Sequence, residues 1–176
     1  KIKLKNISTT YDLKSFFKRE FAIKNLTLDS EKNEIKEIIK LLRSYKDSAQ
    51  LLIADKLIQG GNADISIKLN FDENGQLLND KHEVLANISD LSIELFNKQK
   101  IEKVSANIKY LQNRIEIINF KSIFQEIPIY SDKILINKNN KNYFVEGSLN
   151  NKESIISSSL IKIALTNNNF KNINLF

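Results

Sequence analysis

A chain of 176 residues, 41% of them hydrophobic, is long enough to bury a core in a single domain spanning 1–176. The absence of Cys excludes a disulfide framework, a thiolate metal site and a cysteine nucleophile. The net charge of +6 rests on lysines spread from end to end, with Arg only at Arg19, Arg43 and Arg114; the clustered basic and aromatic pattern of a nucleic-acid binder is missing, and no nucleic acid is expected as a partner.

The leading section, residues 1–29, reads as two strands. Ile2, Leu4 and Ile7 among Lys and Asn suggest an edge strand. Tyr11 to Arg19 is a short helical turn or a loop anchored by Leu13, Phe16 and Phe17. Ala22 to Asp29 gives a second strand through Ile23, Leu26 and Leu28. Residues 30–59 read as a helical insert. Ser30 is the expected N-cap, with Glu31 and Glu34 favourably placed against the helix dipole. Ile35, Ile38, Ile39, Leu42 and Tyr45 then recur at helical spacing, while Lys36, Glu37, Lys40 and Arg43 face away. A break at Ser44–Ser48 precedes a second helix, Ala49 to Gln59, which Gly60 is expected to end. The amphipathic pair, near residues 31–59, is expected to cover one face or one end of a sheet.

Residues 60–150 read as an antiparallel meander. Ala63, Ile65, Ile67, Leu69 and Phe71 alternate with Asp64, Ser66, Lys68 and Asn70, the pattern of a strand with one apolar and one wet face. Asp72-Glu73-Asn74-Gly75 supplies a hairpin turn. Val84, Ala86 and Ile88 return, and the parity then slips at Ser89-Asp90 to give Leu91, Ile93 and Leu95, which predicts a bulge. Ile101, Val104, Ala106, Ile108 and Tyr110 make the next strand, and a turn at Gln112-Asn113 leads into Ile115 and Ile117. Pro128, the only proline, suits an edge or a kink. Ile134 to Ile136 runs into a polar turn at Asn137–Asn140, and Tyr143, Val145, Gly147 and Leu149 come back. The last section, 151–176, is read as a helix over Glu153–Leu165 and a trailing strand. The chain begins without Met and stops inside the alternation at Ile173 and Leu175, so it is expected to be a segment of a longer protein.

Chemistry-bearing constellations are missing. His82 stands alone among Asp80, Lys81 and Glu83, with no nucleophile near it in sequence. Asp72, Glu73 and Asn74 lack the alternating ligands and closing glutamate of a calcium loop. Glu94 and Glu116 fall on the wet face, not as an acid–base pair. No phosphate loop, nucleophile elbow or histidine-based metal spacing occurs. The segment is therefore expected not to be an enzyme, and no metal or cofactor is expected. No apolar run approaches the ~20 residues of a membrane span, so any anchor lies outside these residues.

The fold class expected is mainly β with a few helices (α+β), built on a long, one-sided, twisted antiparallel sheet. Two stretches carry a family likeness. One runs from Ile35-Lys-Glu-Ile-Ile-Lys-Leu-Leu-Arg through Leu57-Ile-Gln-Gly60 into Ala63-Asp-Ile-Ser-Ile-Lys-Leu-Asn-Phe71-Asp-Glu-Asn-Gly75. The other is Tyr130-Ser-Asp-Lys-Ile-Leu-Ile136 followed by Phe144-Val-Glu-Gly-Ser-Leu149. Over about residues 21–150 this resembles the AsmA-like (TamB/YhdP-type) repeating β-groove proteins of double-membraned bacteria. The resemblance implies a long, bent antiparallel sheet forming an open groove, apolar inside, in a periplasmic, inner-membrane-anchored protein implicated in carrying phospholipid to the outer membrane. It implies flanking β-groove repeats in the same chain as partners, and it transfers no catalytic residue.

On the role that the resemblance implies, parity gives the residues expected to line the groove for phospholipid acyl chains: Ile65, Ile67, Leu69, Phe71, Val84, Ile88, Ile93, Val104, Ile108, Ile117, Ile134 and Val145. Two other functions fit the same apolar parity. One is a structural or adhesive β-domain with a closed core and no ligand. The other is a small binding module with a closed pocket.

Overall fold

The computed structural model describes residues 1–18, 20–46, 48–78, 81–95, 98–139 and 142–151. Among them are nine strands and three helices: β1 Leu4–Tyr11, α1 Leu13–Phe17, β2 Ile23–Ser30, β3 Asn33–Glu34, α2 Ile35–Tyr45, α3 Ala49–Leu57, β4 Ile58–Asn70, β5 Glu83–Glu94, β6 Lys100–Leu111, β7 Arg114–Phe124, β8 Ile127–Asn139 and β9 Asn142–Gly147. All strands join one antiparallel sheet in the order β1-β2-β4-β5-β6-β7-β8-β9, with β3 paired to β4. The sheet is not closed, and the fold is mainly β with a few helices, as the alternation predicts. The expected helix over Glu153–Leu165 and the trailing strand lie outside the described residues.

The helical insert differs from expectation at both ends. Ser30 does not cap a helix; it ends β2, and its Oγ accepts from Ile65 N at 2.9 Å. Asn33, 6% exposed, is the reason the helix waits. Its side chain accepts from Lys3 N at 2.7 Å and donates to Lys3 O at 3.0 Å, satisfying buried polar groups that a helix starting at Ser30 would orphan. Its backbone is spent on pairing with Ala63. Helix α2 therefore starts at Ile35, with Glu34 as N-cap and no side-chain capping bond. Helix α3 is capped by Ser48, whose Oγ accepts from Leu51 N at 3.3 Å. It ends at Leu57 and passes directly into β4, so Gly60 lies within a strand instead of terminating a helix.

Ile35 and Ile39 of α2 sink into a cluster with Ala63, Leu91 and Val104. Farther along the helix the apolar stripe leaves the sheet: Leu42 is 48% and Tyr45 93% exposed. Arg43 Nη1 holds Asp55 Oδ2 at 2.5 Å, tying α2 to α3. On the outer side Lys40 Nζ donates to Glu37 Oε1 at 2.8 Å, and that bond first of all holds the Glu37 carboxyl at about 2, well below the usual carboxylate range.

Four consecutive strands carry one residue each in the left-handed region: Gly61 (φ 123°), Asp90 (φ 54°), Lys103 (φ 51°) and Asn119 (φ 55°). The register shifts beside them, between Gly60 and Asn62, Ile88 and Leu91, Glu102 and Ser105, and Ser105 and Asn107. The parity slip at Ser89-Asp90 is thus one of a series. Each bulge bends its strand and increases its twist, and a series across β4 to β7 makes a transverse crease.

The turns follow local chemistry. Asp72 Oδ1 accepts from Asn74 N at 2.9 Å and Gln76 N at 2.8 Å, and Gly75 takes φ 79°. Gln112 (φ 51°) and Asn113 link Leu111 to its partner Arg114 in two residues. Of the turn expected at Asn137–Asn140, Asn137 to Asn139 belong instead to β8, which pairs on through Asn139 with Asn142. Among the described residues Pro128 is paired with Ile123 of β7 alone, the β9 ladder covering Ile134 to Asn139 and an isolated bridge joining Tyr130 to Asn150.

Candidate functional site

Antiparallel register turns the alternation into rows that cross the sheet. The longest row runs Ile7–Leu28–Ile67–Val84–Tyr110–Ile115–Ile136–Val145, one apolar residue from each of eight strands. Beside it lies a second, Ile65–Ala86–Ile108–Ile117–Ile134–Gly147. Toward the crease a third, Ala63–Ile88–Ala106, joins the ground covered by the helices.

Exposure grades across these rows. Ala63, Leu91, Val104 and Ala106 are buried, at 4–7% exposed. Ile67, Val84, Tyr110, Ile115 and Ile136 are half-buried, as are Ile108, Ile117 and Ile134. At the margins the row is bare, with Ile7 58% and Val145 66% exposed. Helices α2 and α3 roof the crease end and leave the two long rows partly open.

The twelve sequence-predicted residues therefore occupy different surroundings. Ile67, Val84 and Val145 share the first row, and Ile65, Ile108, Ile117 and Ile134 the second. Leu69 continues the same side of β4 opposite Leu26. Val104 is part of the buried cluster, and Ile65, Ile88 and Ile93 pack against it. Phe71 lies past the ladder at the hairpin, its ring 5.8 Å from that of Phe21. Ile7, Leu28, Tyr110, Ile115 and Ile136 belong to the first row and are absent from the sequence-derived lining. Ile115 and Ile136 were readable there, having the parity of Ile117 and Ile134. Ile7 and Leu28 required the pairing of β2 with β4 across the helical insert.

The reverse side is mostly polar and internally paired, with Leu85, Ile118 and Leu135 set among its polar residues. Asn87 Nδ2 donates to Asp64 Oδ1 and Asn107 Nδ2 to Asn87 Oδ1, each at 2.6 Å, and Asn119 Nδ2 reaches Asn107 Oδ1 at 3.4 Å. Lys109 Nζ meets Glu83 Oε1 at 2.9 Å, and Glu116 receives Arg114 at 2.8 Å and Lys133 at 3.5 Å. Glu116 is thus engaged with two cations. On the apolar side, His82 stacks on the row residue Tyr110 with ring centroids 5.5 Å apart.

Among the described residues no group of three or more His, Cys, Asp or Glu is placed to hold a metal ion. No described helix is long and apolar enough to cross a membrane. A cavity of about 560 Å³ lies among β6, β7 and β8. What the arrangement offers chemically is a graded apolar surface with a charged reverse side. No family model, curated protein or solved structure matches the chain.

Proposed function

We propose that this chain is a segment of a lipid-transfer conduit whose open apolar face shields phospholipid acyl chains from water between the inner and outer membranes. The observation that carries this reading is the row from Ile7 to Val145, continuous over eight strands yet half-open, while the helices cover only the crease end. Seven strand spacings of roughly 4.8 Å make a path of about 34 Å, comparable to the ~30 Å hydrocarbon core of a bilayer.

Moving an acyl chain into water costs about 0.8 kcal/mol per methylene, on the order of 12 kcal/mol for a sixteen-carbon tail. A greasy strip removes most of that cost without a specific contact that would trap the lipid, and the head group stays in water at the open side. The bare apolar margins at β1 and β9 suit continuation by neighbouring β-groove repeats, in keeping with the AsmA-like resemblance. On this reading the membrane anchor belongs to sequence outside these residues, the compartment is the periplasm, and the chain performs no catalysis.

Photo-crosslinking tests it. A photo-reactive residue at position 67 or 108 captures phospholipid, and one at position 68 or 109 on the reverse side does not. Equal capture at all four positions defeats the proposal.

A further inference from the structure

The cavity among β6, β7 and β8 combines two kinds of lining: Phe120, Ile123 and Ile129 supply apolar surface, and Lys103, Lys121 and Asp132 supply charge. Its volume of about 560 Å³ falls within the roughly 300–1,000 Å³ of small-molecule sites. Nearby strand cations each have a carboxylate partner: Lys109 pairs with Glu83, and Arg114 and Lys133 share Glu116. The cavity's two lysines are exposed, and neither makes an ion pair among the described residues. Lys103 is held there by the bulge at its own left-handed φ of 51°. Two ammonium groups against one carboxylate leave the lining net positive beside an apolar recess.

We propose that this cavity is a docking site for a phosphate-bearing amphiphile, its tail against Phe120, Ile123 and Ile129 and its phosphate received by Lys103 and Lys121. The inference rests on the lipid-conduit reading and adds to it a place where one head group is recognised. Charge-assisted hydrogen bonds from ammonium to phosphate supply the recognition, and at a surface site they weaken as salt is added. Asp132 limits the attraction, since its carboxylate faces the same anion.

Calorimetric titration of the full chain below micelle formation, with backbone amide shifts followed by NMR, compares dodecyl phosphate, dodecyl maltoside and inorganic phosphate. Dodecyl phosphate is expected to shift amides within 119–123 and 128–132 and to bind about tenfold tighter than the maltoside. The double variant Lys103→Gln, Lys121→Gln removes that preference while maltoside binding and melting temperature stay as they were. Asp132→Asn tightens dodecyl phosphate binding by about threefold, a gain that loss of folding cannot produce. Equal binding of both amphiphiles, with shifts along Ile67 and Ile108 instead of the cavity, overturns the docking site and leaves the conduit reading standing. Failure of both amphiphiles to bind overturns the conduit reading and this inference with it. Inorganic phosphate binding as tightly as dodecyl phosphate overturns the lipid assignment in favour of a free-anion site.

Discussion

Gly61 and Leu91 meet backbone to backbone: a Cβ on Gly61 would stand 2.5 Å from the Leu91 Cα. Gly61 also has φ 123°, which side-chain-bearing residues rarely adopt. The crease is closed at this point because one strand lacks a side chain where its neighbour slips register. Gly61→Ala is therefore expected to cost about 3 kcal/mol, combining backbone strain with overpacking. Gly60, with nothing within 4 Å of a built Cβ, is the control; Gly60→Ala should change stability by less than about 1 kcal/mol. Urea unfolding of the two variants measures both.

Helix α2 should show a gradient along its apolar stripe. Ile39, 5% exposed beneath the helix, loses about 2–4 kcal/mol on replacement by Ala. Leu42→Ala, at a position 48% exposed, should cost under about 1 kcal/mol. Matching losses at the two sites would mean that the outer half of α2 is covered in solution.

The row residue Ile136 separates lipid contact from folding. Ile136→Asp is expected to lower phospholipid recovered with the purified protein severalfold, whereas Leu135→Asp on the reverse side leaves recovery unchanged. Mass spectrometry of organic extracts, with melting curves on the same samples, reads both quantities. Ile136 pairs with Ile115 and Val145, so the charge is set inside the row, one strand from its β9 end.

The asparagine chain on the reverse side should be energetically coupled. Asn107 donates to Asn87, which donates to Asp64. A double-mutant cycle between Asn87→Ala and Asn107→Ala is expected to give a coupling of about 0.5–1 kcal/mol, the size of one partly exposed hydrogen bond. Additive effects would show that water replaces the bond without loss.

Much of the sheet was legible because a two-residue period leaves little choice of face. Ile65, Ile67 and Leu69 fixed the side of β4, and Asp72 to Gly75 marked its turn. The slip at Ser89-Asp90 announced the β5 bulge. The matching departures at Lys103 and Asn119 carry the same three-residue step in the apolar pattern, from Ile101 to Val104 and from Ile117 to Phe120. The start of α2 was misread. Ser30 has a capping side chain, but its Oγ is engaged by Ile65 N, thirty-five residues away in sequence. The lining was legible as a parity and not as a set of exposures. Val104 and Ile108 share a strand and an apolar character, yet only Val104 lies in the cluster under Ile35 and Ile39. Which end of a strand a helix lands on is decided by tertiary packing, which local pattern does not encode.

Eight strands in strict up-and-down order give β1 and β9 opposite directions. A newcomer laid along β9 by the same rule would travel the way β1 does and could set its own counterpart of Ile7 against Val145. The apolar row thus sets no limit to its own width: a further unit of this kind would lengthen it strand by strand in the same register.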